Sequence, residues 1–228
     1  MKSVLLYSGG LDSFIYNHLL QPDICLYVDI NSKYTHHEKN NITRINTLDN
    51  LKIVQSKDMR YLEQSNAIIK NRNIYLILEA CNFGENIYLG STIGDGSKDK
   101  DKTFFQLISS LLTHTSNKKI CVSAPFIKYS KSELIKKYMK KDGDITKLKN
   151  IFSCYTGEKK QCGKCKACVR NAIAFKLNNI ETKDLYNFDI FQSKDIFMQY
   201  SNKIKISSIG EKRKKEYEEI TYLQEIML

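Results

Sequence analysis

Short apolar runs alternate with helix-length segments over the first two thirds of the chain. Each run is bounded by polar or turn-forming residues, which is typical of buried strands. The predicted strands are Val4–Tyr7, Ile24–Ile30, Ile53–Val54, Asn86–Leu89 and Ile120–Val122. Strands that alternate with helices form parallel βαβ units, so the pattern predicts an α/β protein with an open parallel sheet and helices on both faces.

Apolar residues with helical spacing fill the intervals between these strands. A Ser-x-x-Glu capping box at Ser130–Glu133 marks the start of one helix. The first predicted helix follows residue 13, and the last begins at Lys166. Between them, helices are predicted over Glu38–Leu51, Ile68–Phe83, Phe104–Leu112 and Glu133–Met139. The polar, glycine-containing segment Gly90–Thr103 predicts a loop at the carboxyl end of a strand, where open α/β sheets bind their ligands.

The segment Ser8–Ser13, with the sequence SGGLDS, lies between the first strand and the first helix. Its two adjacent glycines allow backbone N–H groups to converge on one point with no side chain in the way. The hydroxyls of Ser8 and Ser13 add donors, and the helix adds the positive end of its dipole. The segment therefore predicts a pyrophosphate site. The alternative is an ordinary turn in which Asp12 or Ser13 caps the helix.

A cluster of cysteines has the spacing C-x7-C-x2-C-x2-C and consists of Cys154, Cys162, Cys165 and Cys168. Thiolates at this spacing can surround one ion tetrahedrally, which predicts a closed, structural zinc site. An iron–sulfur cluster also uses four cysteines and is the alternative metal centre. The other cysteines lie in apolar strands or helices and are interpreted as core residues: Cys25, Cys81 and Cys121.

The character of the chain changes near Ile151, just before the cysteine cluster. We therefore expect a nucleotide-binding α/β domain over residues 1–150 and a zinc-binding, helical region over residues 151–228. A charged helix predicted over Glu211–Ile226 has a narrow apolar stripe at Tyr217, Ile220, Leu223 and Met227. We expect this stripe to pack within the chain; a homodimer contact is the alternative.

Composition limits the classes of function. With 228 residues, 42% of them hydrophobic, the chain can bury one large core, and it has no apolar run of about 18 residues that would span a membrane. The first strand begins at the N-terminus where a secretion signal would lie, so we expect a cytoplasmic protein. The formal charge of +11 comes mostly from dispersed lysines, which favours attraction of anionic substrates over nucleic-acid binding.

The SGGLDS segment resembles the signature of the PP-loop ATP pyrophosphatase superfamily, whose members bind pyrophosphate while an acceptor oxygen attacks the α-phosphate of ATP. It is not a Walker loop, because the chain contains no G-x-x-x-x-G-K-[ST] sequence. Together with the cysteine cluster, the segment resembles the 7-cyano-7-deazaguanine synthase (QueC) family. The similarity spans roughly residues 3–176.

Further segments resemble motifs of that family. They are Arg72-Asn73 before a helix, Gly90–Thr92 followed by Asp95 and Asp101, Pro125 through Lys131–Glu133, and Ser153–Tyr155 with Arg170 after the cysteines. Two segments depart from the family. Asp29–Tyr34 reads DINSKY where the family has DYGQRH, and the aspartate loop that carries Asp95 and Asp101 has lysines where the family has Y-P and a following cysteine.

The resemblance implies an ATP-dependent ligase of queuosine biosynthesis that converts 7-carboxy-7-deazaguanine and ammonia to 7-cyano-7-deazaguanine. Adenylation would activate the carboxylate, ammonia would give the amide, and a second adenylation with loss of AMP would give the nitrile. The implied ligands are ATP, Mg²⁺ and a structural Zn²⁺. The implied site residues are Ser8, Gly9, Gly10, Leu11, Asp12 and Ser13 at the pyrophosphate, Asp12 also at magnesium, Arg72 and Lys131 as cationic clamps, and Asn73, Asp95 and Asp101 at the substrate.

Other functions keep part of this pattern. An adenylating enzyme could stop at the 7-amido base, activate another carboxylate or thiolate tRNA. Thiolation usually needs a pair of accessible cysteines near the loops, and Cys81 and Cys121 are expected to be buried. A non-enzymatic alternative is a zinc-containing nucleic-acid binder that relies on its lysines. For Asp95 and Asp101, the alternative is that both are solvent-exposed loop carboxylates.

Overall fold

The structure is a computed structural model that describes residues 1–45, 49–65, 68–95, 98–154, 156, 160–192, 197–202 and 214–227. Tyr155, residues 96–97 of the predicted loop, the start of the helix predicted from Glu211 and the side chain of Met227 lie outside the described residues. The chain forms two compact units, of which the first is Met1–Ser91 with Ser97–Pro125 and the second is Thr92–Gly96 with Phe126–Leu228. The division at residue 150 stays a prediction.

A parallel sheet forms the centre of the first unit, and within the described residues it has five strands in the order β3-β2-β1-β4-β5. The strands are β1 (Ser3–Leu6), β2 (Ile24–Asp29), β3 (Leu51–Gln55), β4 (Asn86–Leu89) and β5 (Cys121–Ser123). The predicted α/β class with a parallel sheet is therefore confirmed.

Strand order reverses between β1 and β4, which lie side by side in the middle of the sheet. Leu6 at the end of β1 is the register partner of Leu89 at the end of β4. The loops that follow these two strands therefore leave the sheet next to each other. Such a reversal point is where open α/β sheets bind their ligands.

Both faces of the sheet are covered. Cys25 and Leu26 are adjacent in β2 and therefore point to opposite faces, yet each has 0% of its surface exposed. Leu5 of β1 is equally buried. Continuous apolar strands of this kind are typical of parallel sheets with helices on both sides, which explains why the sequence shows runs instead of strict alternation.

The helices of the first unit are α1 (Leu11–Leu20), α2 (Thr35–Ile45), α3 (Arg72–Cys81) and α4 (Lys102–Ser116), with short 3-10 turns at Arg60–Leu62 and Lys98–Lys100. The prediction that a helix extends to Leu51 is wrong, because Leu51 opens β3 and is the register partner of Cys25. The helix predicted from Ile68 begins only at Arg72.

The second unit contains α5 (Lys131–Lys140), α6 (Ile145–Lys149), α7 (Lys166–Leu177), a helical segment α8 over residues 197–202, α9 (Lys214–Met227) and a 3-10 turn at Ile190–Gln192. The capping box at the start of α5 is confirmed, because Ser130 Oγ accepts from the Glu133 N–H at 3.2 Å and Glu133 Oε2 accepts from the Ser130 N–H at 2.8 Å.

Helix α9 packs within the second unit, as expected from its apolar stripe. Ile220 and Leu223 are fully buried in a core that they share with Cys154 and Cys168, and Tyr217 is partly buried against it. Burial of the described part of the stripe, Tyr217, Ile220 and Leu223, is explained by packing within this unit. In the part of the chain that the structure describes, none of the helices is long and apolar enough to cross a bilayer.

Candidate functional site

The turn between β1 and α1, predicted to bind pyrophosphate, contains a glycine in the left-handed conformation and a glycine N-cap. Gly9 adopts φ +72°, which is the left-handed region that glycine enters at no steric cost. Gly10 is the N-cap of α1, and its carbonyl accepts from the N–H of Phe14 at 3.0 Å and from Ser13 Oγ at 3.0 Å. The alternative in which Asp12 or Ser13 is the cap is therefore wrong; Asp12 lies in the first turn.

Two hydroxyl groups converge on the start of α1. Ser8 Oγ lies 3.4 Å from Ser13 Oγ, and Ser8 is exposed whereas Ser13 is only 4% exposed. Gly10, the N-cap, has no side chain that could cap the helix, and its N–H donates to Ser8 Oγ at 3.4 Å. Two hydroxyl groups beside the positive end of the helix dipole form an arrangement that can bind an anion such as pyrophosphate.

The start of α3 carries the Arg72-Asn73 pair. Asn73 is buried, and its Nδ2 donates to Asp99 Oδ2 at 2.9 Å, so it holds the loop that precedes α4. Arg72 lies near Glu38. Burial raises the pKa of Glu38 above its ordinary value, and the positive charge of Arg72 offsets only part of this rise. Sequence reasoning missed Asp99; its only signal was a place in the polar loop between two predicted elements.

The two aspartates predicted to bind the substrate have different surroundings. Asp101 is the N-cap of α4, where its Oδ1 accepts from the N–H of Phe104 at 2.8 Å. Asp95 is paired with Arg170 at 2.9 Å, and its side chain is 18% exposed. Neither residue is therefore a solvent-exposed loop carboxylate, which was the alternative interpretation of both. The two residues belong to different compact units.

Lys131 opens α5 and lines a small pocket in the second unit. Charged and polar side chains dominate this pocket: Ser130, Lys131, Arg170, Glu216 and Glu219. Glu219 accepts hydrogen bonds from the hydroxyls of Ser130 and Ser132, and burial raises its pKa above the ordinary value. Sequence reasoning missed the two glutamates of α9; their spacing of three residues on one helix face was the available signal.

The four clustered cysteines come together as predicted. Their sulfur atoms all lie within 4.8 Å of one another, with Sγ–Sγ distances of 3.4 Å for Cys165–Cys168 and 3.9 Å for Cys162–Cys168. A tetrahedral ion with Zn–S bonds of about 2.3 Å requires sulfurs about 3.8 Å apart, which fits. Ligand atoms this close surround a single ion and favour zinc over an iron–sulfur cluster.

Backbone N–H groups support negative charge on these sulfurs. Cys154 Sγ accepts from the N–H of Cys162 at 3.3 Å, and Cys162 Sγ accepts from the N–H of Lys164 at 3.4 Å and of Cys165 at 3.3 Å. Metal binding requires thiolates, and N–H donors stabilise thiolates before and after the ion binds. The donor set thus fits a structural zinc site.

The remaining cysteines differ in exposure. Cys25 is fully buried, and burial raises the pKa of its thiol to about 12, which confirms the interpretation as a core residue. The same interpretation is wrong for Cys121, which is exposed at the start of edge strand β5. Cys81 is intermediate, and burial raises its pKa. Burial of the cysteines therefore does not exclude thiolation in the case of Cys121.

The first segment that departs from the family motif begins at a buried charge. Asp29, at the end of β2, is 2% exposed; it is paired with Lys39 and accepts from the N–H of Asn31 at 2.9 Å. Burial alone would raise the pKa of Asp29, but the Lys39 and Asn31 contacts outweigh it and lower the pKa. The carboxylate thus remains charged and fixes the backbone where β2 leaves the sheet.

A five-stranded parallel sheet with helices and a glycine–serine turn after its first strand is consistent with the PP-loop α/β fold. Residues 20–179 match the model of the family described as Queuosine biosynthesis protein QueC. The chain belongs to this family. The matched residues begin after the phosphate loop and include the Arg72-Asn73 pair and the cysteine cluster.

Relatives with known names agree with the family. The chain is 25% identical over 221 residues to the 7-cyano-7-deazaguanine synthase of Psychromonas ingrahamii, which covers 81% of this chain and 97% of that protein. It is 26% identical to 7-cyano-7-deazaguanine synthase 2 of Colwellia psychrerythraea, over 82% of this chain and 99% of that protein. A 7-cyano-7-deazaguanine synthase of Methanobrevibacter smithii is 31% identical over 132 residues, 54% of this chain and 56% of that protein.

Proposed function

We propose that the chain is an ATP-dependent ligase that converts 7-carboxy-7-deazaguanine and ammonia to 7-cyano-7-deazaguanine. The observation that carries this proposal is the combination, on one QueC-family chain, of a glycine–serine turn between β1 and α1 and a four-cysteine cluster that fits zinc. A carboxylate is a poor acyl donor because its oxygens are poor leaving groups. Transfer of AMP to the carboxylate supplies a good leaving group, which ammonia then displaces.

The phosphate loop would bind the pyrophosphate part of ATP. Ser8 and Ser13 would donate their hydroxyls, Gly9 and Gly10 leave the backbone accessible, and Leu11 and Asp12 contribute the first-turn N–H groups of α1. Asp12 would also hold Mg²⁺, since a carboxylate beside phosphate oxygens is the donor set that this ion prefers. In this arrangement the protein aligns the reactants and balances charge without forming a bond to either.

Charged residues outside the loop are also proposed to bind the reactants. Arg72 and Lys131 are proposed as cationic clamps for phosphate charge. Asp95 is proposed to accept hydrogen bonds from the amino-amidine edge of the deazaguanine, for which a carboxylate offers two acceptors. Asn73 would act through the loop that it holds at Asp99, and Asp101 has an oxygen already engaged in capping α4.

The zinc ion would have a structural role. Cys154, Cys162, Cys165 and Cys168 would hold it, and it would stabilise the fold of the second unit, including the start of α7. Cys165 is the N-cap of α7 and Cys168 lies in its first turns. The proposed chemistry needs no redox step at this site.

The test is incubation of the protein with ATP, Mg²⁺, ammonium and 7-carboxy-7-deazaguanine, followed by mass spectrometry of the base and measurement of AMP. We expect the nitrile and two AMP released per product. A product of amide mass with one AMP would favour the enzyme that stops at the 7-amido base. AMP release at background level would refute the proposal.

Ser13→Ala is the matched variant for this assay. We expect it to lower AMP release at least about tenfold, since it removes a hydroxyl donor from the proposed pyrophosphate site. Ser110→Ala, at an exposed position on α4, is the control and should retain wild-type turnover. A nucleic-acid binder would instead keep its steeply salt-dependent binding when Ser13 is changed.

A further inference from the structure

The Arg170 guanidinium connects separate segments of the second unit. Its Nη1 donates to Asp95 Oδ1 at 2.9 Å, its Nε lies 3.2 Å from Glu216 Oε1, and its Nη2 donates to the carbonyl of Ile93 at 3.0 Å. The side chains of Arg170, Asp95 and Glu216 are only 11%, 18% and 10% exposed. One arginine of α7 thus links the loop at residues 92–95 to helix α9.

Glu216 is itself held in place from several directions. The Tyr200 hydroxyl donates to Glu216 Oε1 at 2.9 Å. Four and seven residues further along α9, Ile220 and Leu223 are fully buried in the core of the unit, so they fix the rotation of the helix. The position of the Glu216 carboxylate is therefore set by packing before any ligand binds.

The backbone of the loop passes directly over this carboxylate. Gly94 adopts φ +91°, and a Cβ atom built on it would overlap Glu216 Oε2 and lie 3.1 Å from Arg170 Nη2. A side chain at residue 94 would therefore displace either the loop or the ion pair. The close approach shows that the loop conformation and the Glu216–Arg170 pair depend on each other.

We propose that Glu216 is a positioning residue for the substrate. Through Arg170 it holds the loop at residues 92–95, and with it the Asp95 carboxylate, in the conformation that binds the deazaguanine base. The inference rests on the proposed function, in which Asp95 contacts the substrate. Glu216 lies beyond residue 179, where the match to the family model ends, so this contribution comes from a helix outside the matched region.

Charge and geometry together explain how Glu216 would act. Arg170 has two buried carboxylate partners, and each charge-assisted hydrogen bond fixes one side of its planar fork. Without Glu216, the guanidinium is free to rotate toward Asp95 alone, and the loop loses the surface on which Gly94 lies. A glutamine at this position keeps an oxygen that accepts from Arg170 and Tyr200, so it should preserve most of the geometry.

Three variants separate positioning from a general loss of structure. Glu216→Ala removes the contact, Glu216→Gln restores its hydrogen-bond acceptor, and Glu218→Ala changes an exposed glutamate on the same helix. We expect Glu216→Ala to raise KM for 7-carboxy-7-deazaguanine about tenfold or more, while KM for ATP and kcat change by less than about threefold. Glu216→Gln should recover most of the loss, and Glu218→Ala should match the wild type.

A second measurement needs no substrate. The amides of Ile93 and Asp95 donate to Tyr129 O at 2.9 Å and to Thr92 O at 3.1 Å, so hydrogen exchange followed by mass spectrometry reports on this loop. Peptides that cover it should exchange several-fold faster in Glu216→Ala than in Glu218→Ala, with peptides from α1 unchanged as an internal reference.

The outcomes are distinguishable. Equal exchange of the loop peptides in Glu216→Ala and Glu218→Ala would overturn the inference, and so would faster turnover in Glu216→Ala, because the carboxylate would then obstruct the pocket. A uniform fall in kcat with both KM values unchanged would also refute it. Failure of the wild-type protein to release AMP would refute the proposed function, and the exchange experiment would still decide whether Glu216 holds the loop.

Discussion

Gly9 lies against helix α2 so closely that a Cβ atom on it would stand 3.1 Å from Cγ1 of Ile42 and 3.2 Å from the backbone nitrogen of the same residue. The phosphate loop is therefore shaped both by its own left-handed turn and by the helix that packs on it. Residue 9 is glycine for two reasons: its φ angle is left-handed, and helix α2 leaves little room for a Cβ atom.

Gly9→Ala should impair both folding and turnover. Alanine at φ +72° costs about 1–2 kcal/mol, and displacement of α2 adds a similar amount. We expect urea denaturation to show about 2–4 kcal/mol of lost stability, and AMP release to fall at least about tenfold.

Gly10→Ala is the stability control for this prediction. Gly10 has φ −80°, and a Cβ atom on it would meet only Ser8 Oγ, at 3.5 Å. We expect its unfolding free energy to stay within about 1 kcal/mol of the wild type. Equal stability losses in both variants would contradict the explanation from space and dihedral angle.

Cys162→Ser should remove the metal and destabilise the protein. One thiolate of the four-cysteine cluster is lost, and zinc per chain measured by mass spectrometry should fall from one toward zero. A loss of roughly 3 kcal/mol would lower the melting temperature by about 10 °C for a chain of this size. Cys121→Ser, outside the cluster, is the control and should keep both zinc content and melting temperature.

The cysteines outside the cluster should differ in reactivity toward thiol reagents. Cys121 is exposed, whereas Cys25 is fully buried and has a pKa of about 12, so it holds almost no thiolate at neutral pH. With zinc bound, alkylation and peptide mapping should find Cys121 modified first and Cys25 unmodified in the native protein. Early modification of Cys25 would contradict the burial of β2.

Glu219 should make stability depend on pH. Burial raises its folded-state pKa, and the negative charges of Glu133 and Glu216 act in the same direction. A carboxyl group with a raised folded-state pKa binds more protons in the native state, so the free energy of unfolding falls as pH rises from about 4.3, the ordinary value, through the folded-state pKa.

Glu219→Gln removes this titration. In urea denaturation between pH 4.5 and about 7.5, the free energy of unfolding of the variant should increase relative to that of the wild type as pH rises. Glu218→Gln, on the exposed side of the same helix, should follow the wild-type profile throughout. Parallel profiles for Glu219→Gln and the wild type would contradict a raised pKa at this residue.

Features that depend on neighbours in sequence could be predicted. The phosphate loop, the capping box at Ser130 and the cysteine cluster each need only a few residues in a fixed order, and all three have the predicted local form. The strand centres were equally clear because burial on both faces leaves continuous apolar runs. The sheet and the clustering of the four cysteines could therefore be predicted from the sequence, whereas anion binding at Ser8–Ser13 stays a prediction.

Features that depend on residues distant in sequence could not be predicted. Leu51 belongs to β3 because it pairs with Cys25, and periodicity within its own segment contains no information on that pairing. Cys121 is exposed because β5 lies at the edge of the sheet, which the order of strands decides. The Asp95–Arg170 pair joins residues 75 positions apart, and the packing that brings α9 to it involves a further segment.

Helix α7 carries Cys168 and Arg170 only two residues apart, directly after its N-cap Cys165. The cysteine cluster and the ion pairs of Arg170 are therefore connected through one helix, although they share no atom. Under the proposed function, loss of zinc should disturb α7 and thereby Arg170 and its partner Asp95, so we expect zinc-free chains to bind 7-carboxy-7-deazaguanine more weakly as well as to be less stable.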